Sequence, residues 1–371
     1  MRASARFILC VVTSAIVAGC ATGPKPGQAA SLKDAVAPVW SLSATQNEMA
    51  VSVSPARRTM QLAGSSGVLI GASVAAVAND RYRRAIRDVL QGYDAGAVFE
   101  ERLAARLKQT VSQDLAQVGP LSSTAGFQSK RDAEKARYES LAKRGADVLL
   151  DLNMTYGLFG PGGTLVTKLD GRLLGLPGGR GLWNDVIVVH TEPILADQKL
   201  SDPTKQFAPD FTSLRLTAED DAITQWTRDG GQRLRKCFEE SVDAVVSALL
   251  CDLGLAQEAV GEYYLGKLAM NRKAFDEADA HFRKALELDP NMIEARNGRA
   301  VNLAHNRQTD DAIKLAEETT TSAPDYAPAW YNLAWWYAID KKTPEAAAAY
   351  YDKALALGMP ANTKLEKAIG R

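Results

Sequence analysis

Histidine is scarce in this 371-residue chain. Only His190, His281 and His305 occur, and no two of them share a spacing that would serve one metal ion. His190 closes an apolar run beside Glu192, but no Ser or Cys stands in a recognisable nucleophile turn. Hydrolase chemistry therefore has no residues to carry it. Net charge is missing too: 44 basic residues balance 44 acidic ones, which removes the global attraction that nucleic-acid binders rely on. The four cysteines form no Cys-x-x-Cys pair for zinc or dithiol chemistry. Gly175-Leu-Pro-Gly-Gly-Arg-Gly is glycine-rich but lacks the Lys-Ser/Thr of a phosphate loop, and it joins two strands without a following helix. These absences exclude a metal, a cofactor and a catalytic role from the reading.

What is present begins with a targeting pattern. Arg2 and Arg6 precede an apolar run over residues 7–18, too short for the ~20 residues of a spanning helix. The run ends in Val17-Ala18-Gly19-Cys20, which resembles the lipobox of bacterial lipoproteins. The resemblance implies that residues 1–19 are a signal peptide and that Cys20 becomes the first residue and carries the lipid. Each buried methylene contributes about 0.8 kcal/mol, so several acyl chains anchor stably where one does not. Ala21 after the cysteine implies, by likeness to enteric lipoproteins, the outer membrane facing the periplasm. Loss of Arg2 and Arg6 leaves a net charge of −2. Residues 20–45 are rich in Gly, Pro, Ala and Ser and read as a lipidated flexible tether. Of the cysteines, Cys237 and Cys251 remain. On one continuous helix they stand ~21 Å apart, beyond disulfide reach.

Residues 46–255 read as an α+β periplasmic domain, a mainly antiparallel sheet covered by helices. Residues 49–54 alternate as a strand. Residues 62–78 are apolar and studded with Gly64, Gly67 and Gly71. They read as a helix buried against the sheet, with membrane contact as the alternative. Phe99, Leu103, Leu107, Val111 and Leu115 recur every four residues and predict a helix over 98–115. A charged helix over 130–144 follows, then strands over 146–156, 164–174 and 182–190 with glycine-rich links, the pattern of a meander. A long helix over 218–253 buries Ile223, Trp226, Leu234, Phe238, Val242, Val245 and Leu249, with Gly230-Gly231 as a kink. This order, with the Arg144-Gly-Ala-Asp-Val-Leu-Leu segment, resembles the periplasmic domains of the curli-secretion lipoprotein and of lipoprotein activators of penicillin-binding proteins.

From residue 259 the chain has a 34-residue period. Leu265, Gly266, Ala278, Phe282, Ala285 and Pro290 fall on the pattern of the tetratricopeptide repeat. A degenerate second copy keeps Leu303, Ala312 and Pro324. The third matches at Trp330, Leu333 and Tyr337 and, after one extra residue near Pro344, at Ala347, Tyr351 and Ala354. The resemblance implies an all-α solenoid over 256–371, with repeats at 259–292, 293–326 and 327–360 and a partial cap at 361–371. It also implies a concave groove lined by Tyr263, Lys267 and Asn271, then Asn297, Val301 and His305, then Tyr331, Trp335 and Ile339. Trp335 is expected to be an exposed aromatic anchor. The expected function is a membrane-anchored envelope scaffold whose groove binds a protein or peptide segment, with no nucleic acid. The alternative is an accessory subunit of a secretion channel, or an activator of a peptidoglycan synthase, acting through the α+β domain. A homo-oligomer is compatible with both.

Overall fold

The computed structural model describes residues 32, 34–44, 48–53, 79–111, 115–121, 127–160, 162–202 and 219–371. The expected signal peptide, Cys20 and the glycine-studded run over 62–78 lie outside them. No helix among the described residues is long and apolar enough to cross a membrane.

Strands β1 (Pro38–Ala44), β2 (Ala50–Ser52) and β3 (Ala116–Gln117) precede a meander of β4 (Val148–Phe159), β5 (Thr164–Gly175) and β6 (Arg180–His190). The meander is antiparallel, as its short glycine-rich links require. β1 and β2 lie end to end along the free edge of β4 and run parallel to it, and β3 adds two residues outside β1. The sheet is therefore mixed, in the order β3-β1-β4-β5-β6. The tether assigned to 20–45 overran into it. Trp40 is buried, and the Ser41 hydroxyl donates to Asp151 at 2.6 Å.

Side-chain alternation separates the two faces of this sheet. Leu150, Leu152, Met154 and Leu158 of β4 point into the main core with Leu165, Leu169 and Leu173 of β5. That face is covered by α1 (79–89), α2 (Ala95–Thr110) and the later helix over Gln232–Asp252. Helix α3 (Phe127–Lys143) covers the opposite face, packing Tyr138 and Leu141 on Val39, Leu149 and Leu174. α2 opens on Asp94, whose carboxylate accepts from the Ala97 amide at 2.9 Å.

The expected long helix is two helices, α4 (Glu219–Thr227) and α5 (Gln232–Asp252). Asp229, Gly230 and Gly231 all adopt positive φ, so the chain turns rather than kinks. A Cβ on Gly231 would stand 2.9 Å from Val89 of α1. Cys237 and Cys251 both lie on α5, partly buried, with free thiols.

Six helices then pair as the period dictates: α6 (Ala259–Asn271) with α7 (Phe275–Leu288), α8 (Ile293–His305) with α9 (Thr309–Ser322), and α10 (Ala327–Trp335) with α11 (Pro344–Ala356). The period is written in the backbone as well. Lys273, Arg307 and Lys342 occupy the same turn of each pair and all take positive φ. Phe282 fills the space between Gly266 and Gly298, where added Cβ atoms would each meet its ring at 2.8 Å. The extra residue expected near Pro344 is absorbed earlier, as a π-helical turn over Trp336–Asp340 that continues α10. That turn buries Trp336, while Trp330 and Tyr337, which fall on the repeat pattern, are only partly covered. Helix α12 (Thr363–Ala368) caps the array through Leu365.

Helix α5 belongs to both halves. Its inner stripe lies on the sheet, and its far end packs on α6, where a Cβ on Gly261 would meet the Ser247 carbonyl at 2.7 Å. Across the same seam, Trp183 of β6 lies over Gly171 and its indole donates to Asp252 at 2.8 Å. Arg272, after α6, pairs with Asp185 of β6 at 3.5 Å. Burial, with Asp185 nearby, pushes the Asp252 carboxyl up to about 7. Between about pH 4 and 7 the folded chain thus holds a proton that the unfolded chain has released, so stability falls as pH rises through that window. Asp252→Asn keeps an acceptor for Trp183 and removes the buried charge. It should raise the melting temperature at pH 8, with a gain that shrinks toward pH 4. An equal gain at both pH values would show that the Asp252 charge is not the cause.

Candidate functional site

In each helix pair the first helix, α6, α8 or α10, lines the concave side of the array. Tyr263, Asn297 and Tyr331 stand at one register position on these helices, and Lys267, Val301 and Trp335 at another. The groove they form is filled. Leaving the end of β6, residues 191–197 run along it from the first repeat to the cap without helix or strand of their own, and the chain then turns, the Gln198 amide donating to the Leu195 carbonyl at 3.1 Å.

The repeats grip this segment by alternate backbone groups, as an extended chain presents them. The Lys267 ammonium donates to the Glu192 carbonyl at 3.1 Å. Two carboxamides converge on the next carbonyl along: Asn297 donates to Ile194 O at 2.9 Å and Asn332 to the same atom at 3.4 Å. Asn332 also donates to Asn297 Oδ1 at 2.9 Å and accepts from the Ala196 amide at 2.7 Å. Both asparagines are essentially fully buried.

Side chains complete the grip. Ile194 enters the core of the first two repeats, with its Cδ1 2.9 Å from where a Cβ on Gly298 would stand. Leu195 turns into the last repeat beside Tyr331, Ala334 and Leu365. The Asp197 carboxylate then accepts from Tyr331 OH at 2.8 Å and from Asn362 Nδ2 at 3.0 Å. Asn362 also caps α12, its Oδ1 accepting from the Lys364 and Leu365 amides. The segment is thereby tied to the cap.

Upstream of Glu192 the groove widens into a cleft of about 590 Å³ lined by Tyr263, Tyr264, Lys267, His190 and Tyr326. The Lys267 ammonium lies against the adjoining rings of Tyr263 and Tyr264, with its nitrogen 5.4 and 5.2 Å from their centroids. Burial pushes it down to about 7, against the pull of Glu192. Burial likewise lowers His190 well below the ordinary histidine value.

Four of the nine groove residues expected from the repeat register, Tyr331, Lys267, Asn297 and Tyr263, meet the segment or line its entrance. Val301 is buried in the cluster that also holds Ile194, and Asn271 is buried at the end of α6. His305 stacks on Phe275, with ring centroids 6.3 Å apart, and Ile339 packs with the cap. Trp335 is not an exposed anchor. It is partly buried among side chains of the last repeat, and Lys364 of α12 lies 4.6 Å over its ring. The cap helix covers the surface the register leaves open. The register reading missed Asn332, one step along α10 from Tyr331. Its signal was a lone amide inside the apolar run Trp330-Tyr-Asn-Leu-Ala-Trp-Trp.

Asn332→Ala strands the Ala196 amide and loosens the Ile194 carbonyl. It should cost ~2–3 kcal/mol in a denaturant melt, whereas the exposed Asn306→Ala should cost well under ~1 kcal/mol. Equal midpoints for the two variants would show that the segment is not held as described.

Comparison with known proteins agrees with this geometry for the C-terminal part of the chain. Residues 269–335 match one family model of the tetratricopeptide repeat, and residues 327–357 match a second. No curated protein matches. Among solved structures, the MamA RS-1 ArsTM double mutant is similar over 37% of this chain and 76% of its own, at 23% identity and a TM-score of 0.29. The repeat models, the helix pairing and the recurrent turn fall on the same stretch: the C-terminal region of this chain is an array of tetratricopeptide repeats.

Proposed function

We propose that this protein is a lipid-anchored scaffold of the bacterial cell envelope. Cys20 fixes it to a membrane, in the outer membrane on the periplasmic side, and the repeats recruit a partner protein. The observation that carries the reading is the seated segment. Asn297, Asn332 and Lys267 recognise backbone groups, so the groove is built for an extended polypeptide. Arrays of stacked helix pairs present such concave surfaces for protein recognition.

A second reading is favoured by the same observation. Because the groove is filled by the chain's own residues, a partner could instead meet the α+β domain, as an accessory subunit of a secretion channel or an activator of a peptidoglycan synthase would require.

Two measurements test the proposal. Cys20→Ser should abolish incorporation of labelled fatty acid and remove the protein from detergent-extracted membrane lipoproteins. Normal labelling of that variant would defeat the anchor. Crosslinking in the intact envelope should join another protein to residues 259–371. Crosslinks confined to residues 32–252, joining copies into a ring, would transfer the function to the α+β domain.

A further inference from the structure

The repeats do not simply pack on residues 191–202; they read them as a ligand. Recognition falls on main-chain atoms of Glu192, Ile194 and Ala196, on two adjacent aliphatic side chains, and on one carboxylate. None of these contacts requires that the segment belong to the same chain. Any polypeptide with two aliphatic residues, a small residue and then Asp in the same turn would reproduce them. The arrangement also disfavours an empty groove. Removing the segment would hand the Asn297 and Asn332 carboxamides to water and expose the apolar seats of Ile194 and Leu195. An occupant that covers those seats again is therefore favoured over solvent.

The resident segment has the properties of a replaceable one. It has no helix or strand to unmake. It is tethered at His190 on one side. On the other, residues 203–218 separate it from α4 in the sequence. Its departure also has a consequence at the far end of the array, because Asp197 holds Asn362, the residue that caps α12.

We propose that residues 191–202 are a resident occupant that holds the groove closed, and that the partner of the repeats enters by exchange, presenting an aliphatic-aliphatic-small-Asp segment that turns at its small residue and Asp to Asn297, Asn332, Tyr331 and Asn362. The proposal rests on the scaffold reading and supplies its partner chemistry. A tethered competitor acts at high effective concentration, so the closed form weakens every external ligand by the same factor. Affinity for the partner is thereby set by how firmly the resident segment is seated. Weakening the seat strengthens external binding, the opposite of what loss of a binding residue does.

The test uses the full chain and a fluorescent peptide with the sequence of residues 191–202. In the Leu195→Ser variant the resident side chain no longer fills its pocket, and the peptide should bind at least about tenfold more tightly than to the unaltered chain. The same peptide carrying Ala in place of Asp197 should lose most of that affinity. Asp197→Ala in the chain, which leaves the aliphatic pair in place, serves as a second opened variant should Leu195→Ser fold poorly by circular dichroism. In the unaltered chain, saturating peptide should accelerate amide exchange within residues 192–198 while residues 259–357 stay protected. Folded variants that bind no peptide would show the segment to be fixed packing, and the exchange proposal would fall while crosslinks to residues 259–371 kept the scaffold reading alive. Equal binding to opened and unaltered chains would place the peptide elsewhere on the surface and also overturn it. Dimers formed by the variants in place of peptide binding would make a second copy of this chain the occupant, again against the proposal.

Discussion

The Ile194 carbonyl, held by the carboxamides of Asn297 and Asn332, is the contact on which the relation between the two halves of the molecule depends. The two asparagines also bond to each other and so act as one unit spanning the second and third repeats. Around that unit, the chain leaving β6 is drawn through the concave side of the array with Ile194 and Leu195 buried on either side. A sheet domain and a solenoid joined only by a linker would move freely. Here the solenoid closes on a piece of the sheet domain's own chain.

Helix α5 makes the second link. Its packing on α6 leaves no room for a side chain at Gly261, and Trp183, whose indole donates to Asp252 of α5, leaves none at Gly171. Titratable groups near both links are displaced toward neutrality by burial: Asp252 beside Trp183, and Lys267 at the entrance to the groove. Exposed pairs contribute little by comparison. The partly buried contacts of Arg272 with Asp185 and of Arg106 with Glu258 orient the seam more than they stabilise it.

Much of the fold was legible because it rests on periodic signals. Ala278, Phe282 and Ala285 announce close helix pairs at fixed spacing, and the alternation from Leu150 to Leu158 announces a strand with one face in the core. β1 was not legible, since seven residues beside a Gly/Pro-rich stretch carry too short a pattern to stand apart from it. Nor was the occupant of the groove. Thr191-Glu-Pro-Ile-Leu-Ala-Asp has no period and reads as a loop, and its role arises only when β6 ends facing the solenoid. The register found the positions that face inward, Tyr263, Lys267, Asn297 and Tyr331, because those depend on local helix geometry. It misjudged Trp335 because a cap helix more than twenty residues on decides what that ring meets.

The central claim is that the repeats recognise an extended backbone and already hold one. Amide hydrogen exchange of the full chain tests it at single segments, since residues 191–202 contain no helix or strand that could protect them. The account predicts slow exchange at Ala196, whose amide donates to Asn332, and loss of that protection in Asn332→Ala while α6 to α9 remain protected. Exchange at Ala196 as fast as in a free peptide, in the unaltered chain, would contradict it.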